Sequence, residues 1–428
     1  MRNLQSITVR ARPLVVALVL GGAVSSVWAT NGYFPHGYGI KAKGMGGASV
    51  AMTDNTFAGA NNPAISAWAG NRAEIGADIF MPTRSVTRSD GLALQGAAKS
   101  DSNTFLVPEF GYNRAVSDRL GMGVTVYGNG GMNTNYPGGQ INCGGGGPAN
   151  LLCGSGELGV DLKQLVIAPT IAYKLDDNHS VGISPLLVYQ TFKASGLQAF
   201  SPMSSNAASL TNKGSSSSSG IGVRLGYLGK LSDKVSLGAS FAPKISMSKF
   251  KEYAGLFADG GSFDIPANFA IGASVKATND VTFAADYQRI KYGGVASIAN
   301  PSTNQAPLGS AGGPGFGWSD VNVIKLGAEW RTSPALVLRG GINVGDNPVQ
   351  ARDVSFNILA PGVVTTHFTL GGTYEMSKAT EVSFFGMYAP SKSVKGASLF
   401  NAQTGGMAGN ETVSMSQKAI GVQFGWKY

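Results

Sequence analysis

The sequence predicts an all-β transmembrane barrel of about fourteen antiparallel strands, closed by a partly helical N-terminal hatch that plugs the lumen. Three observations predict this fold: an export signal, a low content of charged residues, and apolar residues that alternate along short segments. Only 13% of the residues are charged and 43% are hydrophobic, whereas soluble domains contain about 25% charged residues. Glycine, at 61 residues, is about twice as frequent as usual. Together these features favour a barrel of the bacterial outer membrane, whose strands alternate between lipid and lumen.

Residues 1–29 have the pattern of a secretory signal peptide. Three arginines precede an apolar stretch from Leu14 to Val24, and a small-x-small cleavage site ends at Ala29. Cleavage there would start the mature chain at Thr30 and lower the net charge from +9 to about +6. This mild and dispersed charge does not indicate a nucleic-acid partner. After the signal, no apolar run approaches the roughly 18 residues of a membrane helix.

The barrel is predicted over residues 73–428, and its strand pattern is clearest at the C-terminus. From Ala419 to Tyr428 every second residue is apolar: Ile420, Val422, Phe424, Trp426 and Tyr428. A half-buried strand of a soluble domain would also alternate, but the export signal favours a lipid-facing stripe. We expect the barrel-assembly machinery to recognise this strand, which ends at Tyr428.

Short polar turns and long loops divide the rest of the chain. Six turns are predicted around residues 117–119, 176–178, 232–234, 278–280, 332–334 and 377–379. Seven loops, rich in glycine, serine, asparagine and proline, cover approximately residues 89–103, 131–156, 197–219, 254–265, 294–317, 347–365 and 397–411. These connections imply fourteen strands, and the serine run 215–219 is expected to be a flexible external loop. A closed barrel has no free strand edge, so a monomer is expected.

Charged residues within the strands should face the lumen. A charge facing lipid at the midplane costs about 2–4 kcal/mol, and alternation with Ile324 and Leu326 places Lys325 and Arg331 inward. Arg339 faces inward by the same argument. These cations could bind the carboxylate of a substrate, or they could brace the barrel by pairing with acidic neighbours.

The two cysteines, Cys143 and Cys153, lie in a glycine-rich segment. In an exported protein this spacing favours a disulfide over a metal site or free thiols. The three histidines are far away in sequence, so no metal ion is expected, and no motif indicates a cofactor.

Residues 30–72 do not have a strand pattern. Glycine and proline break this segment into short helical turns, and its apolar residues need burial. The segment could be a periplasmic tail or a plug in the lumen. A plug is favoured because an empty barrel of this size would leak small solutes.

Within this segment, Gly44-Met45-Gly46-Gly47-Ala48 and Asn61-Asn62-Pro63-Ala64 resemble the N-terminal hatch of the FadL/TodX family of outer-membrane proteins. That family transports long-chain fatty acids and aromatic hydrocarbons. Three later segments agree with the resemblance: residues 265–288, 318–331 and 338–341.

The resemblance implies a hatch that carries Asn62, Pro63 and Ala64. It also implies a pocket near the mature N-terminus and a lateral opening at a kink in the third strand. Gly128, Gly130 and Gly131 are candidates for the kink, although these glycines could simply start a loop. Tyr33 and Phe34 are candidates for the pocket, or they belong to the packing of the hatch.

The predicted function is passive uptake of hydrophobic small molecules through the outer membrane, with lateral release into lipid. Long-chain fatty acids or similar compounds are the first candidates, and aromatic hydrocarbons are the alternative. A general aqueous porin would keep the barrel without the hatch. A lipid-modifying enzyme is disfavoured because no Gly-x-Ser-x-Gly motif stands near a histidine.

Overall fold

Fourteen antiparallel strands form a closed barrel in the structure, a computed structural model that describes residues 31–144 and 147–428. The predicted signal peptide and the cleavage before Thr30 lie outside the described residues. Each strand pairs with its neighbours in the chain, and the last strand pairs with the first along its whole length. The predicted fold class and strand number are therefore confirmed. The strands are β1 Arg72–Ser89, β2 Phe105–Ala115, β3 Leu120–Tyr136, β4 Leu158–Lys174, β5 His179–Ser195, β6 Ser216–Lys230, β7 Val235–Ala242, β8 Asn268–Lys276, β9 Val281–Ile290, β10 Val321–Arg331, β11 Leu336–Gly345, β12 Thr366–Glu375, β13 Thr380–Ala397 and β14 Asn410–Lys427.

The other elements are short. A strand at Gly96–Lys99 extends the sheet beside the outer end of β1, and Ile141–Asn142 pairs with Pro148–Ala149 in the loop after β3. The α-helical segments are α1 Ile40–Lys43, α2 Ala258–Gly261, α3 Ala296–Ala299 and α4 Asn401–Thr404, and 3₁₀ turns cover Pro63–Ala67, Gln198–Met203, Ala207–Ser209, Lys251–Tyr253, Tyr292–Gly294, Ala351–Asp353 and Phe356–Ile358. None of the described helices is both long and apolar enough to cross a bilayer.

The six short turns share one hydrogen-bonding pattern. In each turn, a side-chain oxygen accepts hydrogen bonds from the backbone N–H groups two and three residues later, which is the local bonding that favours Asp, Ser and Thr in turns. Asp176, for example, accepts from Asn178 and His179, both at 2.8 Å. The equivalent residues in the other five turns are Ser117, Ser232, Thr278, Ser333 and Ser377. These turns define the periplasmic end of the barrel.

Alternation along the strands places apolar side chains outside. The predicted stripe on β14 is exposed from Ile420 to Tyr428, whereas Ala419 and Gln423 are buried inside. On β10, Ile324 and Leu326 face outward and Lys325 is buried in the lumen. This pattern is the one expected for strands in contact with lipid.

Residues 31–71, called the hatch below, fill the lumen, and most of them are buried. Wall glycines make room for the hatch backbone. A Cβ at Gly226 would lie 2.1 Å from Asn62 Oδ1, and one at Gly341 would lie 2.2 Å from the carbonyl carbon of Met45. Because contacts this short would displace the hatch, part of the glycine excess reflects close packing between the wall and the hatch.

Candidate functional site: a hatch, an aromatic chamber and a gap in the barrel wall

Two buried lysines attach the hatch to the barrel wall. Lys43 Nζ lies 2.6 Å from Asp78 on β1 and 2.8 Å from Glu109 on β2. Lys41 Nζ lies 3.1 Å from Glu74 on β1 and 2.5 Å from Glu381 on β13. Buried charges are tolerated when they are paired and hydrogen-bonded, so these ion pairs act as specific attachment points.

The protonation of these lysines follows from their partners. Burial alone would lower the pKa of Lys43, but the carboxylates of Asp78 and Glu109 outweigh burial and raise that pKa above its ordinary value. Lys41 also has a raised pKa, since the effect of burial is outweighed by Glu74, Asp54 and Glu381. Both lysines therefore stay charged at neutral pH.

Asn62, Pro63 and Ala64 form the start of a 3₁₀ turn in the hatch. The side-chain oxygen of Asn62 accepts from the backbone N–H of Ala64 at 3.1 Å, and Pro63 occupies the first helical position, where its missing N–H costs nothing. The side-chain amide of Asn62 donates to the carbonyl oxygens of Val50 and Tyr227, both at 2.8 Å. Asn62 therefore joins two parts of the hatch to β6.

Above the hatch, buried rings of the N-terminal segment, the outer end of β5 and the external loops form a cluster that we call the aromatic chamber. Tyr33 lies at ring-centroid distances of 5.4 Å from Tyr292 and 6.3 Å from Trp318. The hydroxyl of Tyr292 donates to the Asn31 carbonyl oxygen at 2.5 Å. The chamber comprises Tyr33, Phe34, Phe192, Phe250, Phe257, Phe263, Tyr292, Phe316 and Trp318. Such a surface suits an apolar or aromatic ligand.

Two spaces continue from the chamber towards the outside, an apolar inner cavity and an outer groove lined by both apolar and polar residues. A narrow cavity of about 40 Å³ is lined by chamber residues together with Phe200 and Phe356. Phe200 also lines an outer groove of about 750 Å³, which includes Leu92, Met203 and Phe400. The inner cavity has room for only a few water molecules, so a ligand has to displace side chains to pass through it.

The barrel wall has a gap beside the chamber. Pairing between β2 and β3 ends where Phe110 lies opposite Val126. Beyond this point, residues 127–136 of β3 pair only with β4 among the described strands. A bulge between Gly128 and Gly130 interrupts the pairing with β4, as expected for an extra residue that bends a strand.

The bulge contacts the N-terminal segment directly. Gly131 donates its N–H to the Tyr33 carbonyl oxygen at 3.3 Å. Since β3 continues to Tyr136, the glycines do not start the loop, and the expected loop boundary at residue 131 was wrong. The predicted residues Tyr33, Phe34, Gly128, Gly130 and Gly131 therefore lie together in the structure.

The three predicted lumenal cations do not form one site. Arg339 lies 2.7 Å from Glu329 and 3.4 Å from Asp54 of the hatch, so it acts as a brace. Lys325 is buried opposite Asp286 in the register of β9 and β10. Arg331 lies at the periplasmic end of β10, where it pairs with Glu375 at 3.5 Å. Its predicted place in a lumenal pocket is wrong, because the strand ends there and the side chain reaches the rim.

Cys143 and Cys153 are joined by a disulfide in the loop after β3. The disulfide borders the outer groove. It therefore constrains a loop that lines this groove.

Sequence analysis missed several residues of the site. Lys41 and Lys43 were not singled out, although Glu74 and Asp78, four residues apart on the inward face of β1, indicate buried cationic partners. Tyr292 and Trp318 lie in long loops, where no periodicity indicates that they face the lumen.

A closed antiparallel barrel with a lumenal hatch defines an outer-membrane transport protein. The chain belongs to the family described as outer membrane protein transport protein (OMPP1/FadL/TodX), whose model matches residues 36–428. This result confirms the resemblance and the outer-membrane location.

Solved structures have the same fold. The toluene transporter TodX of P. putida is 20% identical with a TM-score of 0.66, and the toluene transporter TbuX of Ralstonia pickettii is 18% identical with a TM-score of 0.64. A FadL homologue of Pseudomonas aeruginosa is 13% identical with a TM-score of 0.67. Each alignment covers 92% of this chain and 99% of the other. No curated protein matches the chain significantly in sequence.

Proposed function

We propose that this protein is a passive channel for the uptake of hydrophobic small molecules, with long-chain fatty acids or aromatic hydrocarbons as substrates. One observation carries the proposal: the aromatic chamber meets the wall gap at the contact between Tyr33 and the β3 bulge. A molecule in the chamber is thus next to an opening that leads sideways, towards lipid.

The outer groove is the proposed site of capture. Leu92 is 90% exposed at this groove, and Met203 is 46% exposed. Removing apolar surface from water stabilises a bound hydrophobe by about 0.8 kcal/mol per CH₂ group. From the groove, the molecule passes Phe200, enters the inner cavity by displacing side chains, and reaches the chamber.

Release through the wall is the proposed last step. A route through the periplasmic end is blocked by the hatch, which ion pairs and hydrogen bonds attach to the wall. A lateral route avoids returning the apolar surface to water. Because no energy-coupling motif is present in the sequence, uptake follows the concentration gradient.

The test is uptake of labelled oleate and labelled toluene by whole cells. Deletion of Asn129, the extra residue of the bulge, restores a regular register between β3 and β4 and should narrow the gap. We expect this deletion to abolish most uptake, whereas deletion of the exposed loop residue Gln305 should leave uptake unchanged. Surface expression is measured for each variant.

The result also distinguishes the alternatives. Uptake of only one of the two compounds identifies the substrate class. Equal uptake with and without Asn129 would contradict lateral release. No uptake of either compound, together with free ion conductance in a planar bilayer, would support an aqueous porin instead.

A further inference from the structure

Arg84 of β1 is a buried arginine without a carboxylate within 4 Å among the described residues. In the part of the chain that the structure describes, its Nε–H has no acceptor. The other contacts of the guanidinium are with neutral groups: Ser100 Oγ at 2.8 Å, the Ser102 carbonyl oxygen, Pro82 O at 3.4 Å, Asn133 Oδ1 at 3.5 Å and the ring of Phe105 at 5.7 Å. A buried charge without a counter-charge is unfavourable, so this arrangement calls for an explanation.

Arg88, four residues further along the same face of β1, is a buried arginine that does have a carboxylate partner. Arg88 lies opposite Glu411 in the register of β1 and β14, and its Nη2 is 2.6 Å from that carboxylate. Arg84 lies opposite Met415 instead. The neighbouring strand thus neutralises Arg88 and leaves Arg84 available to an anion.

Arg84 lines a crevice at the wall gap. Strand β2 begins at Phe105, opposite Phe80, and the short strand Gly96–Lys99 pairs with residues 85–88 of β1, so residues 81–84 lie at the gap. The N–H of Ser100 donates to the Arg84 carbonyl oxygen at 3.0 Å. The crevice is otherwise mainly apolar, and it includes Phe80, Met132, Met415 and Trp318. Trp318 is also a chamber residue, so one apolar surface connects the chamber to the guanidinium.

The other lumenal cations lie elsewhere in the barrel. Arg339 is paired with Glu329, and Lys325 lies opposite Asp286. Arg224 donates to the carbonyl oxygen of Ala60 in the hatch. Arg224 resembles Arg84 in having a neutral partner and an Nε–H without an acceptor among the described residues. Arg84 differs because it is the cation that lines the crevice at the gap.

We propose that Arg84 is an anion-binding site for amphiphilic acids, which it holds by the carboxylate while the apolar tail lies along the crevice towards Trp318. This inference rests on the proposed function, since the ligand reaches the crevice from the chamber. Guanidinium groups bind carboxylates through paired, charge-assisted hydrogen bonds. The crevice measures about 10 Å³, so binding requires the gap to widen.

The test compares dodecanoate with 1-dodecanol, which have equal chain length and differ in the head group. Binding to the full-length protein in nanodiscs is measured by equilibrium dialysis at pH 8, where the acid is ionised, with empty nanodiscs subtracted. We expect Arg84→Met to weaken dodecanoate binding by about ten- to a hundredfold, the range for hydrogen bonds to charged groups. Binding of 1-dodecanol should change less than about twofold, and Arg84→Lys should restore part of the dodecanoate affinity.

A second variant tests the site without removing the charge. Met415→Glu places a carboxylate opposite Arg84, as Glu411 lies opposite Arg88. Met415→Glu should weaken dodecanoate binding as much as Arg84→Met does, and its thermal stability should not fall. Unchanged dodecanoate binding in both variants, or equal loss of both ligands, would overturn the inference and leave the proposed function in place. Failure of the wild-type protein to bind either ligand would instead contradict the proposed function.

Discussion

Gly131 and Tyr33 are joined by a backbone hydrogen bond of 3.3 Å between the N–H of Gly131 and the carbonyl oxygen of Tyr33. The bond connects the start of the described chain to the β3 bulge, 98 positions later in the sequence. The N-terminal segment therefore lies against the edge of the gap. Any movement of the bulge has to move Tyr33 or break this bond.

Gly130→Ala should displace the N-terminal segment. Gly130 has a φ of 156°, and a Cβ there would lie 2.2 Å from the Tyr33 carbonyl oxygen. We expect ion leakage in planar bilayers to rise severalfold as the segment moves away from the bulge. Gly386→Ala is the matched control, because a Cβ at Gly386 meets nothing within 4 Å. Equal conductance of both variants would show that this contact does not hold the segment in place.

Lys43→Met should loosen the hatch. The variant leaves Asp78 and Glu109 buried without their cation, and breaking a buried pair costs about 3–5 kcal/mol. We expect a lower melting temperature and a higher bilayer conductance. Lys395→Met is the control, because its pair with Asp90 is exposed and contributes at most about 1 kcal/mol.

A triple variant separates the loss of the pair from the loss of the side chain. Adding Asp78→Asn and Glu109→Gln to Lys43→Met removes the uncompensated charges, and stability should recover in part. If the triple variant is less stable than Lys43→Met, uncompensated buried charge is not the cause of the defect.

Asn62→Ala should destabilise the 3₁₀ turn of the hatch. It removes a cap, which contributes about 0.5–2 kcal/mol, and two hydrogen bonds to carbonyl oxygens of the hatch and β6. We expect amide hydrogen exchange at Ala64 to accelerate by about tenfold or more. Asn61→Ala, which removes one bond to the Tyr38 carbonyl oxygen, should have a smaller effect at Ala64. Equal acceleration in both variants would argue against a capping role.

The barrel could be predicted because its signal is local. Alternation along β14 and the turn residues Asp176 and Ser117 depend on neighbours within the segment, so one sequence suffices. The serine run shows the limit of this approach. Residues 216–219 belong to β6, and the expected flexible loop was wrong, since inward hydroxyls of Ser216 and Ser218 bind Glu252 and the Ser248 carbonyl oxygen.

The candidate site was only partly predictable because its contacts are long-range. The family resemblance identified Asn62, Tyr33 and the glycines of β3 as candidate residues. Arg84 and Arg88 are both arginines on β1, and they differ in the residue that lies opposite on β14. Met415 lies opposite Arg84, and Glu411 lies opposite Arg88. That difference depends on the register of a strand more than 300 positions away, which a single sequence does not determine.

Acidic pH should weaken the docking of the hatch through His36. Burial, and then the neighbouring His367, Lys43 and Lys325, lower the pKa of His36 well below 6.5. An undocked His36 has the ordinary pKa and takes up a proton below about pH 6.5. Below that pH, the equilibrium constant for docking of the hatch therefore falls by up to about tenfold per pH unit. Asp54 of the hatch stays ionised throughout this range, because Lys41, Arg339 and Arg72 outweigh its burial and lower its pKa to about 2. We therefore expect conductance to rise between pH 7 and pH 5, and His36→Phe to remove most of that rise. His179→Phe, at a periplasmic turn, is the control, and an unchanged pH profile in His36→Phe would assign the effect to another group.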